Sequence, residues 1–174
     1  MQYEDIIAFH GHSCPGLAIG FRLATAAMNA LGATRSDDEE LFAVVESDAC
    51  GVDALQCVSG CTFGKGNLVF RDYGKHAYSL FSRVRQLGVR VVFHGQGIPP
   101  ELRADKPAFA KRIMAEQADA ILSVARIPYE ELQTARVRKS VICAGCGESV
   151  MDSRVREAGD GPICIPCAER PRTS

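Results

Sequence analysis

Two groups of side chains have the types and spacing needed to hold a metal ion. The first is Phe9-His10-Gly11-His12-Ser13-Cys14-Pro15-Gly16, which places two imidazoles and a thiol within five residues. Proline suits the first turn of a helix, where its missing N–H would be unpaired anyway, so Pro15 predicts a helix start with Cys14 at its N-terminal end. The dipole and free N–H groups there favour a thiolate, the form of cysteine that binds metal or attacks an electrophile. A thiolate beside two histidines offers the mixture of ligands that zinc and related divalent ions select. A further ligand must come from elsewhere in the chain. The apolar run Leu41 to Glu46 predicts a strand and Val52 to Val58 a helix, which leaves Cys50, after Asp48, on a strand-to-helix turn of the kind that carries chemistry in α/β proteins. His10, His12, Cys14 and Cys50 are not spaced as a structural finger, and so unlike a ligand set suits an open site. The competing reading puts both histidines in a solvated turn and makes the cysteines small buried hydrophobes. Cys61 is a second-tier ligand candidate, whereas Cys57, beside Val58, reads as core.

The second group is more regular. Cys143-Ala144-Gly145-Cys146 is followed after seventeen residues by Cys164-Ile165-Pro166-Cys167. This is the four-cysteine zinc spacing, in which each Cys-x-x-Cys turn supplies two thiolates and the turns close one tetrahedron. Gly159-Asp160-Gly161 predicts a hairpin turn between Ser149 and Ile163. A unit of roughly 30 residues has too little core to fold alone, so the metal is expected to supply most of its folding energy. A redox pair of Cys-x-x-Cys turns, or iron in place of zinc, is the alternative.

Weaker signals surround the first group. Gly60-Cys61-Thr62-Phe63-Gly64-Lys65-Gly66-Asn67 is not a phosphate-binding P-loop, because three residues rather than four separate Gly60 from Gly64 and Gly66 stands where a hydroxyl is needed. Lys65 is nonetheless a candidate for assisting charge at the site, against the reading of a solvated lysine. Asp53 and Gln56 lie a turn apart beside Cys50 and can orient a ligand or substrate, with helix capping by Asp53 as the plain alternative. Cys50, Lys65 and Asp53 are therefore the candidate catalytic residues. His94-Gly95-Gln96-Gly97 ends a strand and is a minor cleft candidate.

The elements that must position these residues follow from periodicity. Residues 3 to 9 suit a short helix, and Leu17, Phe21, Ala24, Met28 and Leu31 share one face of a buried helix closed by Gly32. Ala18, Gly20, Ala26, Ala27 and Ala30 leave the rest of that helix small, open to close approach by a neighbouring helix or a second subunit. Strands are expected at Leu41 to Glu46, Leu68 to Phe70, Ala77 to Val84 and around Val89 to Phe93, giving a sheet of four or five strands. Pro107 begins what reads as the longest amphipathic helix, with Ile113, Ala120, Ile121 and Val124 toward the core, expected to cover one face of the sheet. Arg136 to Ile142 reads as a strand leaving the core, so the expected division is a core domain at 1–135 and a zinc-finger domain at 136–174.

Composition bounds the function. A formal net charge of -1 and 47% hydrophobic residues describe a soluble globular chain with no global pull toward nucleic acid or anionic membrane. Glu4 and Asp5 interrupt any leader-like opening, and no run of about 18 uncharged apolar residues occurs, so the expected location is the cytoplasm. Eight cysteines in a reducing compartment suit metals or chemistry better than disulfides.

The segments 9–16, Asp48 to Gln56, Gly60 to Asn67 and Arg71-Asp72-Tyr73-Gly74-Lys75 together resemble the FmdE-like family of formylmethanofuran dehydrogenase, found with molybdenum or tungsten enzymes. The resemblance implies an α+β core with a thioredoxin-like mixed sheet flanked by helices, a homodimer, and an active-site metal held by ligands drawn from His10, His12, Cys14 and Cys50. It also names the Cys143 to Cys167 segment a treble-clef zinc finger. The cofactors expected are therefore structural zinc in the finger and a second divalent ion, zinc again, in the core. The leading functional expectation is a metal-binding accessory subunit or stand-alone relative of the molybdenum or tungsten formylmethanofuran dehydrogenase in one-carbon metabolism. The first alternative is a metal chaperone or assembly factor for such an enzyme. A nucleic-acid or regulatory module ranks lowest, because Glu148, Asp152, Glu157, Asp160 and Glu169 dilute Arg136, Arg138, Lys139, Arg154, Arg156, Arg170 and Arg172.

Overall fold

The computed structural model describes residues 1–132 and 138–170. The chain divides into two compact units, Met1–Ala135 and Arg136–Ser174. Arg136 and Arg172 of the basic set fall outside the described residues.

The first unit opens with helix α1, Tyr3–His10, whose start is fixed by a capping box between Gln2 and Asp5. Gly11, at φ 97°, ends it in the left-handed conformation that glycine adopts without steric cost. The next helix, α2, Pro15–Leu31, has Cys14 as its N-cap: the sulfur accepts a hydrogen bond from the Leu17 N–H at 3.3 Å. Strand β1, Leu41–Val45, is buried throughout and leads into helix α3, Gly51–Ser59. Strands β2, Leu68–Phe70, β3, Ala77–Ser82, and β4, Leu87–Phe93, follow. The chain then forms a 3-10 turn at Pro100–Ala104, helix α4, Lys106–Ala115, a single helical turn α5, Ala118–Ile121, and strand β5, Leu122–Ile127.

These strands make one mixed sheet in the order β2-β1-β3-β4-β5. In it β1 and β2 run parallel, and the other pairs are antiparallel. Along β1, Leu41, Ala43 and Val45 join the main core with α2, while Phe42 and Val44 join a second cluster with Phe81. The Phe42 and Phe81 rings stack with centroids 4.6 Å apart. Alternate side chains of a strand point to opposite faces, so a strand covered on both sides reads as a continuous apolar run. The α+β architecture with a mixed sheet and flanking helices is that expected.

Two element assignments differ from the sequence reading. The helix beginning near Pro107 stops at Ala115, and Val124 lies on β5, paired with Val91 of β4. Ladder pairing to β4 overrides a spacing that fits a helix locally. The main cover of the sheet is α2, and α4 packs against α2, where Arg22 donates to the carbonyls of Ile113, Met114 and Glu116 at the end of α4.

The second unit contains two hairpins and a short helix. Strand β6, Ser140–Ile142, pairs with β7, Ser149–Met151; β8, Val155–Ala158, pairs with β9, Gly161–Cys164; helix α6 spans Ile165–Glu169. The turn at Gly159-Asp160 falls where the glycine pattern put it. Among the described residues of this unit, only Cys143 and Cys164 are buried. The sulfur cluster is its core.

Candidate metal centre

The ends of α2 and α3 bring the first site together. Their backbones touch at glycines: a Cβ added to Gly20 would fall on the Cα and carbonyl of Gly51, well inside van der Waals contact. Only residues without side chains allow two helices to approach this closely. The neighbour that the small face of α2 serves is thus α3. The approach brings Cys14, the N-cap of α2, beside Cys50, the N-cap of α3. Gly16 lies against Cys50, with room for a Cβ only 3.3 Å from the Cys50 Cβ.

His10, on the last turn of α1, completes the group. One nitrogen of its ring and the sulfurs of Cys14 and Cys50 all lie within 4.8 Å of one another. The His10 Nδ1 meets Asp53 Oδ2 at 2.7 Å, and Gln56 Nε2 donates to the other Asp53 oxygen at 3.4 Å. A carboxylate on Nδ1 fixes the proton there and leaves Nε2 with a free lone pair. That Nε2 is buried and has no hydrogen-bond partner among the described residues. An unpartnered buried nitrogen is costly, and a cation between it and two sulfurs removes the cost. Loss of solvent, then the adjoining Cys14 thiol, pushes the Cys50 thiol pKa up, although the residue as a whole is exposed. Two thiols competing for one another's protons behave this way until a cation displaces them.

The other candidates fall elsewhere. His12 is outside the trio: it is exposed, with its ring 4.8 Å from that of His10 at 34°. Asp53 makes no capping hydrogen bond and serves as the partner of His10. Lys65 donates its Nζ to the Asp37 carbonyl at 3.1 Å and does not line the cavity beside Cys50, which corrects its assignment to the site. Burial pushes the Cys61 thiol up to about 11, and its side chain sits in the main core, so it is a small hydrophobe and not a ligand. Cys57 packs, half-buried, against Ile6, Leu17 and Ala54. The His94 ring accepts from the Gln96 N–H at 3.2 Å and serves the turn after β4.

A cavity of about 450 Å³ opens beside the trio, lined among others by His10, Cys50 and Asp53. Its wall includes Ser47, just beyond the end of β1, and Phe63 and Phe70, none of which the sequence reading singled out. The available signal was position: ligands gather beyond the carboxyl ends of strands where the chain turns into a helix. Beneath the Cys50–Gly51 turn stands the fully buried Tyr78, whose hydroxyl also has no partner among the described residues. Burial, then the nearby Asp53 and Cys50, pushes its pKa up, so it stays a neutral phenol.

In the second unit the four predicted cysteines, Cys143, Cys146, Cys164 and Cys167, have their sulfurs within 4.8 Å of one another. The Cys164 N–H donates to the Cys143 sulfur at 3.2 Å, which with other backbone donors lowers the Cys143 pKa to about 6. The opposite shift of Cys167, pushed up to about 12 by the Cys164 thiol, reflects four thiols crowded without a cation.

Known proteins bear on both units. Residues 137–171 match the prokaryotic dksA/traR C4-type zinc finger. A tungsten formylmethanofuran dehydrogenase FmdE-like protein from Syntrophus aciditrophicus, solved by crystallography, superposes with a TM-score of 0.74 at 28% identity, covering 97% of this chain and 93% of that one. A probable S-adenosyl-L-methionine-binding protein from Archaeoglobus fulgidus is 30% identical over 92% of this chain. The chain spans about half (50%) of that relative's length. Residues 9–140, which carry the whole trio and its cavity, match the family model described as FmdE, molybdenum formylmethanofuran dehydrogenase operon, and the chain belongs to that family.

Proposed function

We propose that the first unit is a divalent-metal module that presents an incompletely coordinated ion to a small molecule in the adjoining cavity. The observation supporting this most strongly is His10 Nε2: buried, unpartnered, beside two thiols, on a ring whose Nδ1 is held by Asp53. Two thiolates and one imidazole form the ligand set of open zinc sites, which keep a fourth position for water or substrate. Bound there, zinc supplies Lewis acidity toward a carbonyl or water. The chain's own contribution is to set the imidazole tautomer through Asp53 and to hold the sulfurs at two helix ends. Family membership supports a role in one-carbon metabolism, as a cytoplasmic, homodimeric accessory subunit or stand-alone relative of the molybdenum or tungsten formylmethanofuran dehydrogenase. The name of the Archaeoglobus fulgidus relative adds S-adenosylmethionine as a cavity ligand to be tried by calorimetry.

Metal analysis of the full chain tests the reading. Two ions per chain are expected, falling to one in His10→Ala and in Cys50→Ser. A fully loaded wild-type chain with one ion would sink it. The exposure of Cys50 favours a second reading, a metal chaperone or assembly factor. Its signs are rapid transfer of the core ion to a chelator and association with a catalytic subunit, without turnover.

A further inference from the structure

The cavity beside the trio has features that metal binding leaves unused. Ser47 is only 7% exposed, it lines the cavity, and its hydroxyl has no hydrogen-bond partner among the described residues. A buried hydroxyl without a partner carries a desolvation cost that a ligand atom can relieve. At the opening, two aromatic rings are left to solvent, Phe63 at 79% and Phe70 at 46% exposure. The first is tethered: the Phe63 N–H donates to Gln56 Oε1 at 3.4 Å, and Gln56 in turn donates to Asp53. The loop that carries one ring is thus linked to the residue that orients His10. Val45, Val52 and Leu68 add apolar wall, and among the described residues no lysine or arginine lines the space. A volume of about 450 Å³ falls within the roughly 300–1,000 Å³ of small-molecule sites.

We propose that this cavity receives a planar aromatic or heteroaromatic ring bearing a single oxygen-donor head, such as an aryl carbonyl compound. The ring packs on Phe63 and Phe70, the head reaches the open position of the ion held by His10, Cys14 and Cys50, and Ser47 hydrogen-bonds a polar atom of the ligand. Offset or edge-on contact with two phenyl rings selects a flat partner. The lack of cationic lining, with Asp48 on the wall, excludes polyphosphates and other polyanions. The inference rests on the metal reading above, and the test separates the two.

The probes are benzohydroxamate and acetohydroxamate, which share a metal-binding head and differ in the ring. Each is titrated against the full chain loaded with cobalt, whose visible bands report a change in coordination; the spectrum of His10→Ala supplies the finger's share. Benzohydroxamate is expected to bind about tenfold tighter, with Phe63→Ala and Phe70→Ala each lowering that preference about two- to tenfold and leaving acetohydroxamate affinity unchanged. Ser47→Ala is expected to weaken benzohydroxamate about fivefold, near 1 kcal/mol. Equal affinity of the two probes, or an undiminished preference in the double phenylalanine variant, overturns the ring site while leaving the metal site standing. A double variant that alters sedimentation but not preference assigns the rings to an interface between copies and overturns it too. A wild-type cobalt spectrum identical to that of His10→Ala removes both proposals.

Discussion

The two sulfur clusters are built by opposite means. In the second unit the sulfurs are the interior: Cys143 and Cys164 are its only buried described side chains, and two short hairpins have little else to fold around. In the first unit the sulfurs lie at the rim of a core that exists without them, with α2 laid on a five-stranded sheet and α3 pressed on α2 through glycines. One cluster has four like ligands, the other two thiols and an imidazole beside a cavity. A site whose metal supplies the folding energy must be closed. A site carried by an independent core can keep a position open for chemistry.

The largest effect that sharpens this contrast is metal removal. Structural zinc contributes an apparent binding energy of about 10–16 kcal/mol in small fingers. Chelation, or Cys143→Ser, is therefore expected to abolish hydrogen-exchange protection in residues 138–170 and leave the five-stranded sheet protected. Protection lost from both units together would break the contrast.

Next in size is Gly20→Ala. An alanine gains about 0.5–1 kcal/mol of helix propensity over glycine. Its methyl group would fall on the Gly51 backbone, and overpacking of this kind costs typically about 1–3 kcal/mol, sometimes more. Backbone cannot swing aside as a side-chain tip can, so the clash wins. Expected are a lower melting temperature of the first unit and a weakened core metal site, with the finger's metal content unchanged. An unaltered or raised melting temperature would show that α2 and α3 need not touch to form the site.

Much of this was legible in the chain because the signals were local. Pro15 after Cys14, Gly32 after Leu31 and the two Cys-x-x-Cys turns report on residues a few positions away, and the structure follows them. The lost signals were non-local. Whether His10 or His12 faces Cys50 depends on how α1 ends at Gly11, and nothing in the His-Gly-His pattern chooses between them. Asp53 reads equally as a cap until the fold brings His10, 43 residues away, onto its carboxylate. Lys65 looked available in its glycine loop because the carbonyl it meets belongs to Asp37, 28 residues distant. Val124 followed a helical spacing until its partner Val91 in β4 decided otherwise.

A moderate effect is expected from Asp53→Ala. The carboxylate on Nδ1 sets the tautomer and raises the basicity of the imidazole, and losing such a support costs about 10–100-fold in metal affinity. Because Asp53 is not a helix cap, α3 should retain its stability, and competition with a chromophoric chelator should show weakening in the core site alone. Equal weakening at the finger, or a melting temperature that falls with affinity, would mean that the side chain acts through folding.

The smallest effect falls on the residue nearest the trio that does not belong to it. His12 is exposed, and its ring stands beside that of His10 at a tilt. Replacing it with alanine removes only a partial cover from one side of the His10 ring, and a solvent-exposed contact of that kind is worth about 0.5 kcal/mol or less. His12→Ala should then change core metal affinity by less than about threefold while His10→Ala abolishes the site. If both variants lost the ion, Gly11 would have to let the loop bring the second imidazole inward, and the core site would be a closed four-ligand centre like the finger. The difference between the two units would then be one of ligand chemistry and not of openness.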